Sequence, residues 1–321
     1  MAQTDLPLEA LREYMPEVAQ PADFDDFWSR TLAESRAFGD RVTVSSASTP
    51  VTRFLIDDVT FAGFGGDPIR AWVTRTSDAA SPTIVEYVGY GGGRGVAGEQ
   101  LKWAAAGYTH VLMDSRGQGS QWGSGGDTPD PQGSAPSTPG FMTRGIEDPA
   151  GYYYRRLLTD AVRLLDQLGS LPGVDVDRVA VTGVSQGGGI SLAAAALSPV
   201  VRAVMPDVPF LCHFRHSVQN TPAPPFTEIA RYLAVHRGQD ERAFATLSYF
   251  DGVNFARRIT QPALFSVGLM DEIVLPSSVF AAYNHLAASD REIAVYGFNG
   301  HDGGGFHHWL RQAEWLGSRA L

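Results

Sequence analysis

The chain has 321 residues, of which 44% are hydrophobic and 19% charged, and its formal net charge is −10. This composition is typical of a globular protein with a sizeable core, and an acidic chain without a Lys/Arg cluster is not expected to bind nucleic acid. Cys212 is the single cysteine, which excludes an intrachain disulfide. Neither a signal-peptide pattern nor an apolar run long enough to span a membrane is evident. We therefore expect a cytoplasmic protein of enzyme size with no membrane partner.

The N-terminal third is predicted to begin with a helix and to continue as a sheet. Aromatic residues at helical spacing favour a helix over residues 23–38. Alternating apolar and polar residues at 54–62 and 69–75 flank a turn rich in Gly and Pro, which indicates a β-hairpin. A third strand at 83–88 leads into the glycine-rich segment 89–95.

A long irregular segment follows the fourth predicted strand. A helix over 97–106 and a strand at 109–113 precede residues 120–146, which are dominated by Gly, Pro, Ser and Thr. Such a segment inside a compact domain is usually functional or disordered. Because it follows a strand end, we expect an ordered loop near a ligand site, before an amphipathic helix at 152–168.

The segment around Ser185 carries the strongest functional signal. A short β-branched and apolar run that begins at Val179 and stops at Gly183 predicts a strand before this residue, and an Ala-rich helix follows at 190–198. Gly183 and Gly187 complete a G-x-S-x-G pattern, which in a strand–turn–helix context is typical of a nucleophilic serine on a sharp turn. Backbone N–H groups at the start of the helix would favour negative charge there. A glycine-rich turn with an incidental serine is the alternative.

The strand–helix alternation is interrupted once in the second half of the chain. A strand at 200–205 precedes a block of aromatic residues, prolines and two predicted helices, which we interpret as a small helical cap-like insertion at about 210–258. The remaining predicted strands and helices alternate: 263–267, 277–288, 292–296 and 306–316. We expect one α/β domain over residues 1–321, with a mostly parallel eight-stranded sheet, helices on both faces and a ligand site at the carboxyl ends of the strands.

A serine nucleophile needs a base, and the base needs a carboxylate to orient it. The eight histidines are His110, His213, His216, His236, His285, His301, His307 and His308. Only His301 lies in a glycine-bounded loop directly after a late strand, so it is the predicted base. The others fall in predicted strands or helices, where packing is expected, or in the insertion, where they could touch substrate.

The expected acid is Asp271, because it lies in the loop after the strand at 263–267 and the chain order serine, acid, histidine is then satisfied. Glu272, one residue along, and Asp207, at the end of the preceding strand, are the alternatives. Either of them is expected to be a structural hydrogen-bonding residue.

A tetrahedral intermediate needs N–H donors for its oxyanion. The backbone N–H groups of Gln186, directly after the nucleophile, and of Tyr90, in the loop after the third strand, are the predicted donors. Trp122 and Phe210 are candidate walls of the substrate pocket, although an ordinary core position is equally expected for each. No His, Cys or Asp cluster has metal-ligand spacing, and neither a metal nor a cofactor is expected.

Several motifs together carry a resemblance to a known family. The three main ones are Arg116-Gly117-Gln118, Gly183-Val184-Ser185-Gln186-Gly187-Gly188 and the loop around His301. Further matches lie at 25–28, 89–95, 152–155, 207–212, 247–251 and 280–284. The chain resembles, over nearly its whole length, carbohydrate esterase family 7, the acetyl xylan esterase and cephalosporin C deacetylase group of the α/β-hydrolases.

The resemblance implies the same five functional residues: Ser185 as nucleophile, His301 as base, Asp271 as acid, and Tyr90 and Gln186 as oxyanion donors. It implies that the Arg-Gly-Gln motif is a structural support near the nucleophile. It also implies deacetylation of small substrates such as acetylated xylo-oligosaccharides and cephalosporin C, without a metal, in a homo-oligomer that is often a ring-like hexamer.

Two departures from the family pattern are visible. Asp302 stands after His301 where the family usually has Glu, and Leu275-Pro276-Ser277-Ser278 replaces Pro-Pro-Ser-Thr. The first change shortens a carboxylate beside the base and should leave catalysis intact. The second lies near the expected acyl pocket and therefore concerns fine specificity.

Three other functions are compatible with parts of the pattern. A general short-chain carboxylesterase would share the whole triad but have a more open pocket. A small-substrate amidase or peptidase would also share it, although no propeller or charged anchor for a peptide terminus is evident. A non-catalytic hydrolase-fold binding module normally lacks a triad member, whereas all three are present here.

Overall fold

The core of the molecule is one mixed sheet, seen in a computed structural model that describes residues 3–133 and 137–321. The nine strands in these residues are β1 (Val42–Ser46), β2 (Leu55–Ala62), β3 (Pro68–Arg75), β4 (Ser81–Tyr87), β5 (Thr109–Met113), β6 (Val174–Val184), β7 (Val201–Asp207), β8 (Ala263–Gly268) and β9 (Arg291–Tyr296). Their order is β1-β2-β3-β5-β4-β6-β7-β8-β9. The pairs β1–β2, β2–β3 and β3–β5 are antiparallel, and the other five are parallel. The predicted mostly parallel α/β sheet is confirmed.

The described sheet has one strand more than the eight predicted. The additional strand is β1, which pairs with β2 from Val42 opposite Phe61 to Ser46 opposite Asp57. It lies at the sheet edge, and four of its five residues are exposed. Its Val-Thr-Val-Ser-Ser sequence alternates over only four residues, which is the lower limit for a strand pattern.

Helices cover the sheet between the strands. Those in the described ranges are α1 (Leu8–Arg12), α2 (Phe24–Arg36), α3 (Lys102–Ala105), α4 (Tyr153–Asp166), α5 (Gln186–Leu197), α6 (Phe214–Asn220), α7 (Phe226–Val235), α8 (Asp240–Ser248), α9 (Gly252–Ala256), α10 (Pro276–Asn284) and α11 (Gly305–Gly317). The sequence did not predict α1, α6 and α9, which have five to seven residues and are too short for a periodic pattern. The helix predicted at 97–106 is confined to α3, because Gly98 has a φ of +93° that no right-handed helix admits.

Successive residues of the central strands face opposite helical layers. In β4, Val85 packs into the large cluster that includes α4, α5 and α10, while Ile84 packs into a smaller one with Trp103 of α3 and Trp315 of α11. This period of two is what burial on both faces requires of a strand. The two-sided covering holds the carboxyl ends of the strands in fixed positions.

Four helices, α6 to α9, lie between β7 and β8, where the cap-like insertion was predicted. Their contribution to the site comes from the α6–α7 connection and the first turn of α7. That the insertion and the sheet form one domain stays a prediction, as does the cytoplasmic location. Across the described residues, none of the helices has the length and hydrophobicity of a membrane span.

Cys212 lies at the start of the insertion and is fully buried. A Cβ on Gly252 of α9 would come 2.4 Å from its Sγ, so the two chain segments are in close contact. Burial, reinforced by the charge of Asp251, raises the pKa of the Cys212 thiol well above its ordinary value.

Arg116, from the segment after β5, is the centre of a buried ionic network. Its guanidinium forms a bidentate pair with Asp160 of α4, at 2.6 and 2.7 Å, and lies 2.9 Å from Asp67 and 3.4 Å from Asp130. Burial opposes the charge on Arg116, but the three carboxylates outweigh it and raise the pKa of the guanidinium. Asp160 also accepts the Phe64 N–H, so the network joins the antiparallel strands to α4.

Removing the Asp160 carboxylate is expected to be strongly destabilising. In Asp160→Ala the fully buried Arg116 loses its bidentate partner, and loss of one member of a buried ion pair costs about 3–5 kcal/mol. Urea unfolding compares this variant with Glu241→Ala, which removes an exposed pair with Arg215 and should cost less than about 1 kcal/mol. Equal stability of the two variants would contradict the importance of the network.

Candidate active site

Ser185 is the single residue between β6 and α5. It has φ 58° and ψ −116°, a left-handed conformation that a non-glycine residue adopts only under constraint. Its N–H donates to the Asp207 carbonyl at 2.9 Å, and its carbonyl accepts the N–H groups of Gly189 and Phe210. Three backbone hydrogen bonds therefore hold the serine on a sharp turn with its side chain towards a pocket.

The glycines on either side of Ser185 are small for a steric reason. A Cβ on Gly187 would lie 2.0 Å from the Tyr87 carbonyl oxygen, and one on Gly183 would lie 2.5 Å from the carbonyl carbon of Gly187. The helix starts at Gln186, four residues before the predicted start at 190. Glycines have low helix propensity, but here Gly187 allows the helix to approach β4 closely.

His301 and Asp271 are brought together by the loops after β9 and β8. The His301 Nδ1 lies 2.8 Å from Asp271 Oδ2, and the other carboxylate oxygen accepts the N–H groups of Ile273 and Val274. Asp271 is only 2% exposed, so its carboxylate has a fixed orientation. Ser185 and His301 line one pocket, and no hydrogen bond joins their side chains in this structure, as is common before a substrate binds.

The alternative acids lie elsewhere. Glu272 is exposed. Asp207 faces the last helix: its carboxylate lies 2.9 Å from His308 Nε2 and accepts a hydrogen bond from Gln312. Of the three carboxylates weighed in the sequence, only Asp271 contacts His301.

The histidines of the insertion do not line the pocket that contains Ser185. His213 and His216 stack on each other at 4.9 Å and line a separate cavity of about 760 Å³ beside Tyr14. His236 stacks on Tyr232 at the end of α7. Direct contact with a substrate at Ser185 is therefore not expected of them.

The predicted oxyanion donors are both free of other bonds in the described part of the chain. Neither the Tyr90 N–H nor the Gln186 N–H donates to any protein acceptor there. Tyr90 lines the pocket beside Ser185, and Gln186 begins α5 directly after it. Two unpaired N–H groups at such a position can stabilise a developing negative charge.

A reciprocal pair of buried amides connects these two segments. Gln118 Nε2 donates to Gln186 Oε1 at 3.0 Å, and Gln186 Nε2 donates back to Gln118 Oε1 at 3.2 Å. Gln118 Oε1 also accepts the Gly91 N–H, and the hydroxyl of Tyr154 donates to Gln186 Oε1. The Arg-Gly-Gln motif thus ties the loop after β4 to the start of α5, a function that no sequence pattern shows by itself.

The pocket at Ser185 is small, about 280 Å³. Its lining residues come from six chain segments, and some of them were expected from the sequence while others were not: Gly89, Tyr90, Gln121, Trp122, Pro139, Val184, Ser185, Pro224, Pro225, Glu228, Ile273 and His301. Part of the long irregular segment is therefore at the site, while its residues 134–136 lie outside the described residues.

Of the two candidate wall residues, only Trp122 lies in the lining. Its indole N–H donates to the Tyr90 carbonyl at 2.7 Å, and its side chain is about half exposed. Phe210 is fully buried behind Tyr90, at 6.2 Å between ring centroids, and is not a lining residue of this pocket. Phe210 therefore has the ordinary core position that was the alternative to a pocket wall.

Glu228 is the charged lining residue that sequence reasoning missed. It lies in the first turn of α7, a helix whose sequence has the usual mixture of polar and apolar residues. Only the fold shows that this turn faces the loop after β4. Within the ranges 3–133 and 137–321, no group of three or more His, Cys, Asp or Glu side chains is placed to hold a metal ion.

The arrangement identifies the class of protein first. A mostly parallel sheet, a strained serine between strand and helix, and a His–Asp pair in later loops define the α/β-hydrolase fold. The chain belongs to the acetyl xylan esterase family: it matches the family described as "Acetyl xylan esterase (AXE1)" over residues 1–319. The family predicted from the motifs is confirmed.

Individual relatives agree with this assignment. An acetyl xylan esterase from Paenibacillus sp. R4 is 39% identical, with a TM-score of 0.89 over 98% of this chain and 99% of that one. Acetyl xylan esterase 1 from Thermoanaerobacterium sp. JW/SL YS485 is 35% identical, with a TM-score of 0.86 over 97% and 99%. The acetyl esterase Axe7A of Xylanibacter ruminicola is 28% identical over 301 residues, 89% of this chain; the chain spans only 64% of that relative's length.

The left-handed conformation of Ser185 predicts a stability difference between two substitutions. Glycine adopts positive φ freely whereas alanine does not, so Ser185→Gly should be more stable than Ser185→Ala by about 1 kcal/mol. Urea unfolding of the two variants measures the difference. A glycine variant no more stable than the alanine variant would show that the backbone at this position is unstrained.

Proposed function

We propose that this protein is a serine esterase that removes acetyl groups from small acetylated substrates. The observation that carries the proposal is the pocket of about 280 Å³ shared by Ser185 and His301, the latter bonded to a buried carboxylate. An activated serine at the wall of a small, largely apolar pocket is suited to a short acyl group. The names of the family and of its relatives support the same chemistry.

The proposed reaction passes through an acyl-enzyme. The Ser185 hydroxyl attacks the acetyl carbonyl carbon while His301 Nε2 takes its proton, and the carbonyl oxygen becomes an oxyanion facing the N–H groups of Tyr90 and Gln186. The C–O bond to the alcohol then breaks as His301 returns the proton to the departing oxygen. Water repeats the sequence and releases acetate. Asp271 accepts the Nδ1–H of His301 and stabilises the imidazolium.

We further propose acetylated xylo-oligosaccharides and cephalosporin C as substrates, and a homo-oligomeric, ring-like hexamer as the assembly. The support for the sugar esters is that two relatives of nearly equal length are named acetyl xylan esterases. Cephalosporin C and the hexamer are supported by the sequence resemblance to carbohydrate esterase family 7 alone. Proton transfer requires no metal or cofactor in this scheme, since the His301 and Asp271 side chains supply base and acid, and backbone N–H groups supply the donors.

The main alternative is a different bond cleaved by the same residues. An amidase or small-substrate peptidase would also use Ser185, and a general carboxylesterase would accept longer acyl chains. The small pocket favours short acyl chains over long ones, and the names of the family and its relatives support an ester over an amide bond. Parallel assays of acetyl esters and aminoacyl amides distinguish the first alternative.

A chain-length series of p-nitrophenyl esters tests the pocket and the nucleophile together. Activity of the wild type should be highest with acetate and fall towards octanoate, because a pocket of about 280 Å³ has to hold the acyl chain together with part of the alcohol. Ser185→Ala should lose at least about 10³-fold in kcat. A preference for longer acyl chains would favour a general carboxylesterase, and full activity of Ser185→Ala would exclude the mechanism.

The assignment of the acid is tested by exchanging carboxylates for amides. Asp271→Asn should lower kcat by about 10⁴-fold, because an amide no longer holds the His301 ring in the required tautomer. The matched control is Glu272→Gln, one residue along and exposed, which should retain kcat within about twofold. If the Glu272 variant lost activity and the Asp271 variant kept it, the assignment would be reversed.

A further inference from the structure

Glu228 and the Tyr90 side chain form a contact at the pocket wall that the reaction scheme does not use. Both carboxylate oxygens of Glu228 lie 2.8 Å from the Tyr90 hydroxyl oxygen. Glu228 belongs to α7 of the insertion, whereas Tyr90 belongs to the loop after β4. The contact thus joins the insertion to the loop whose backbone N–H is the proposed oxyanion donor.

The Tyr90 hydroxyl is fully engaged. It accepts hydrogen bonds from the N–H groups of Gly140 at 3.2 Å and Phe141 at 2.9 Å, and donates its proton to Glu228. A phenol has one donor and two acceptor positions, so none remains. Glu228 Oε2 also accepts the Met142 N–H at 3.3 Å. The hydroxyl end of Tyr90 is therefore fixed by two chain segments.

The other end of the same residue is fixed as well. The Tyr90 carbonyl accepts the Trp122 indole N–H, and the ring packs edge-to-face against Phe141 at 5.6 Å and Phe210 at 6.2 Å. The carbonyl, ring and hydroxyl thus each have partners. Only the backbone N–H is left without an acceptor in the described residues.

We propose that Glu228 is a positioning residue that, through the Tyr90 hydroxyl, sets the direction of the Tyr90 N–H towards the oxyanion. This inference rests on the proposed esterase function. Oxyanion donors accelerate a reaction only when they are oriented beforehand, and a hydrogen bond to a carboxylate is stronger and shorter than one to a neutral group. Glu228 therefore acts on the transition state without touching the reacting atoms.

The electrostatics of Glu228 indicate which substitution should be tolerated. Burial raises the pKa of Glu228, while the hydrogen bond from the Tyr90 hydroxyl and those from backbone N–H groups act against that rise. What Tyr90 needs is an acceptor at this place. A glutamine carbonyl in the position of Oε2 can accept from both the Tyr90 hydroxyl and the Met142 N–H.

The same helix provides a matched control. Tyr232 of α7 donates its hydroxyl to Glu147 at 2.9 Å, at an exposed position away from the pocket. Tyr232→Phe therefore removes a Tyr–Glu hydrogen bond from the same element without affecting Tyr90. Any loss of kcat that merely reflects weaker packing of α7 should appear in this variant too.

The experiment measures kcat and KM for p-nitrophenyl acetate, and inhibition by 1,1,1-trifluoroacetone, whose serine adduct carries an oxyanion. We expect Glu228→Ala and Tyr90→Phe each to lower kcat by about 10- to 100-fold, with KM within about threefold of wild type. Each variant should also bind the ketone inhibitor more weakly by the same factor. Glu228→Gln and Tyr232→Phe should stay within about threefold of wild type. The double variant Tyr90→Phe/Glu228→Ala should be no slower than either single variant.

Different results separate failure of this inference from failure of the proposed function. If Glu228→Ala and Tyr90→Phe keep kcat and ketone affinity while Ser185→Ala is inactive, the positioning role is wrong and the esterase remains. If Tyr232→Phe loses as much kcat as Glu228→Ala, the contact is only structural and the inference is again wrong. Should Ser185→Ala stay active, the proposed function itself fails. If Glu228→Ala does not fold, Tyr90→Phe with Glu228→Gln decides the question.

Discussion

The close approach of α5 to β4 is the constraint on which the geometry of the site depends. Because Gly187 lies against the Tyr87 carbonyl, the chain has to pass from strand to helix within one residue, and that residue is Ser185. Its left-handed backbone would be unfavourable alone, but hydrogen bonds to Asp207, Gly189 and Phe210 compensate. The packing of α5 against β4 thus both strains the Ser185 backbone and directs its hydroxyl to the pocket.

A buried layer of hydrogen-bonding side chains transmits this fixed turn to the neighbouring loop. Gln118 and Gln186 are both fully buried, and each amide finds partners for its donor and acceptor groups. Buried polar groups that are all satisfied favour one arrangement, since any displacement leaves a donor or acceptor without a partner. The loop that contains Tyr90 and the start of α5 are therefore held in a fixed position relative to each other.

The sequence was most informative where local chemistry and steric demand coincide. The G-x-S-x-G turn, the parallel sheet and the family follow from short patterns, and the His301–Asp271 contact was expected from loop order; the catalytic roles themselves stay predictions. The edge strand β1 and the short helices are too short for their sequence pattern to identify them. For Phe210 the sequence left a pocket wall and a core position open, and Glu228 was missed. Both positions depend on how the insertion packs, which long-range contacts decide and no local pattern records.

The burial of Cys212 has a practical consequence. A thiol that is enclosed, and whose pKa lies well above its ordinary value, is protonated and inaccessible near neutral pH, so alkylating reagents have no native target in this chain. A cysteine engineered at an exposed position near the pocket mouth would consequently be the sole reactive thiol. One fluorescent or spin label can therefore be attached specifically at the engineered cysteine, without first replacing Cys212 in the core.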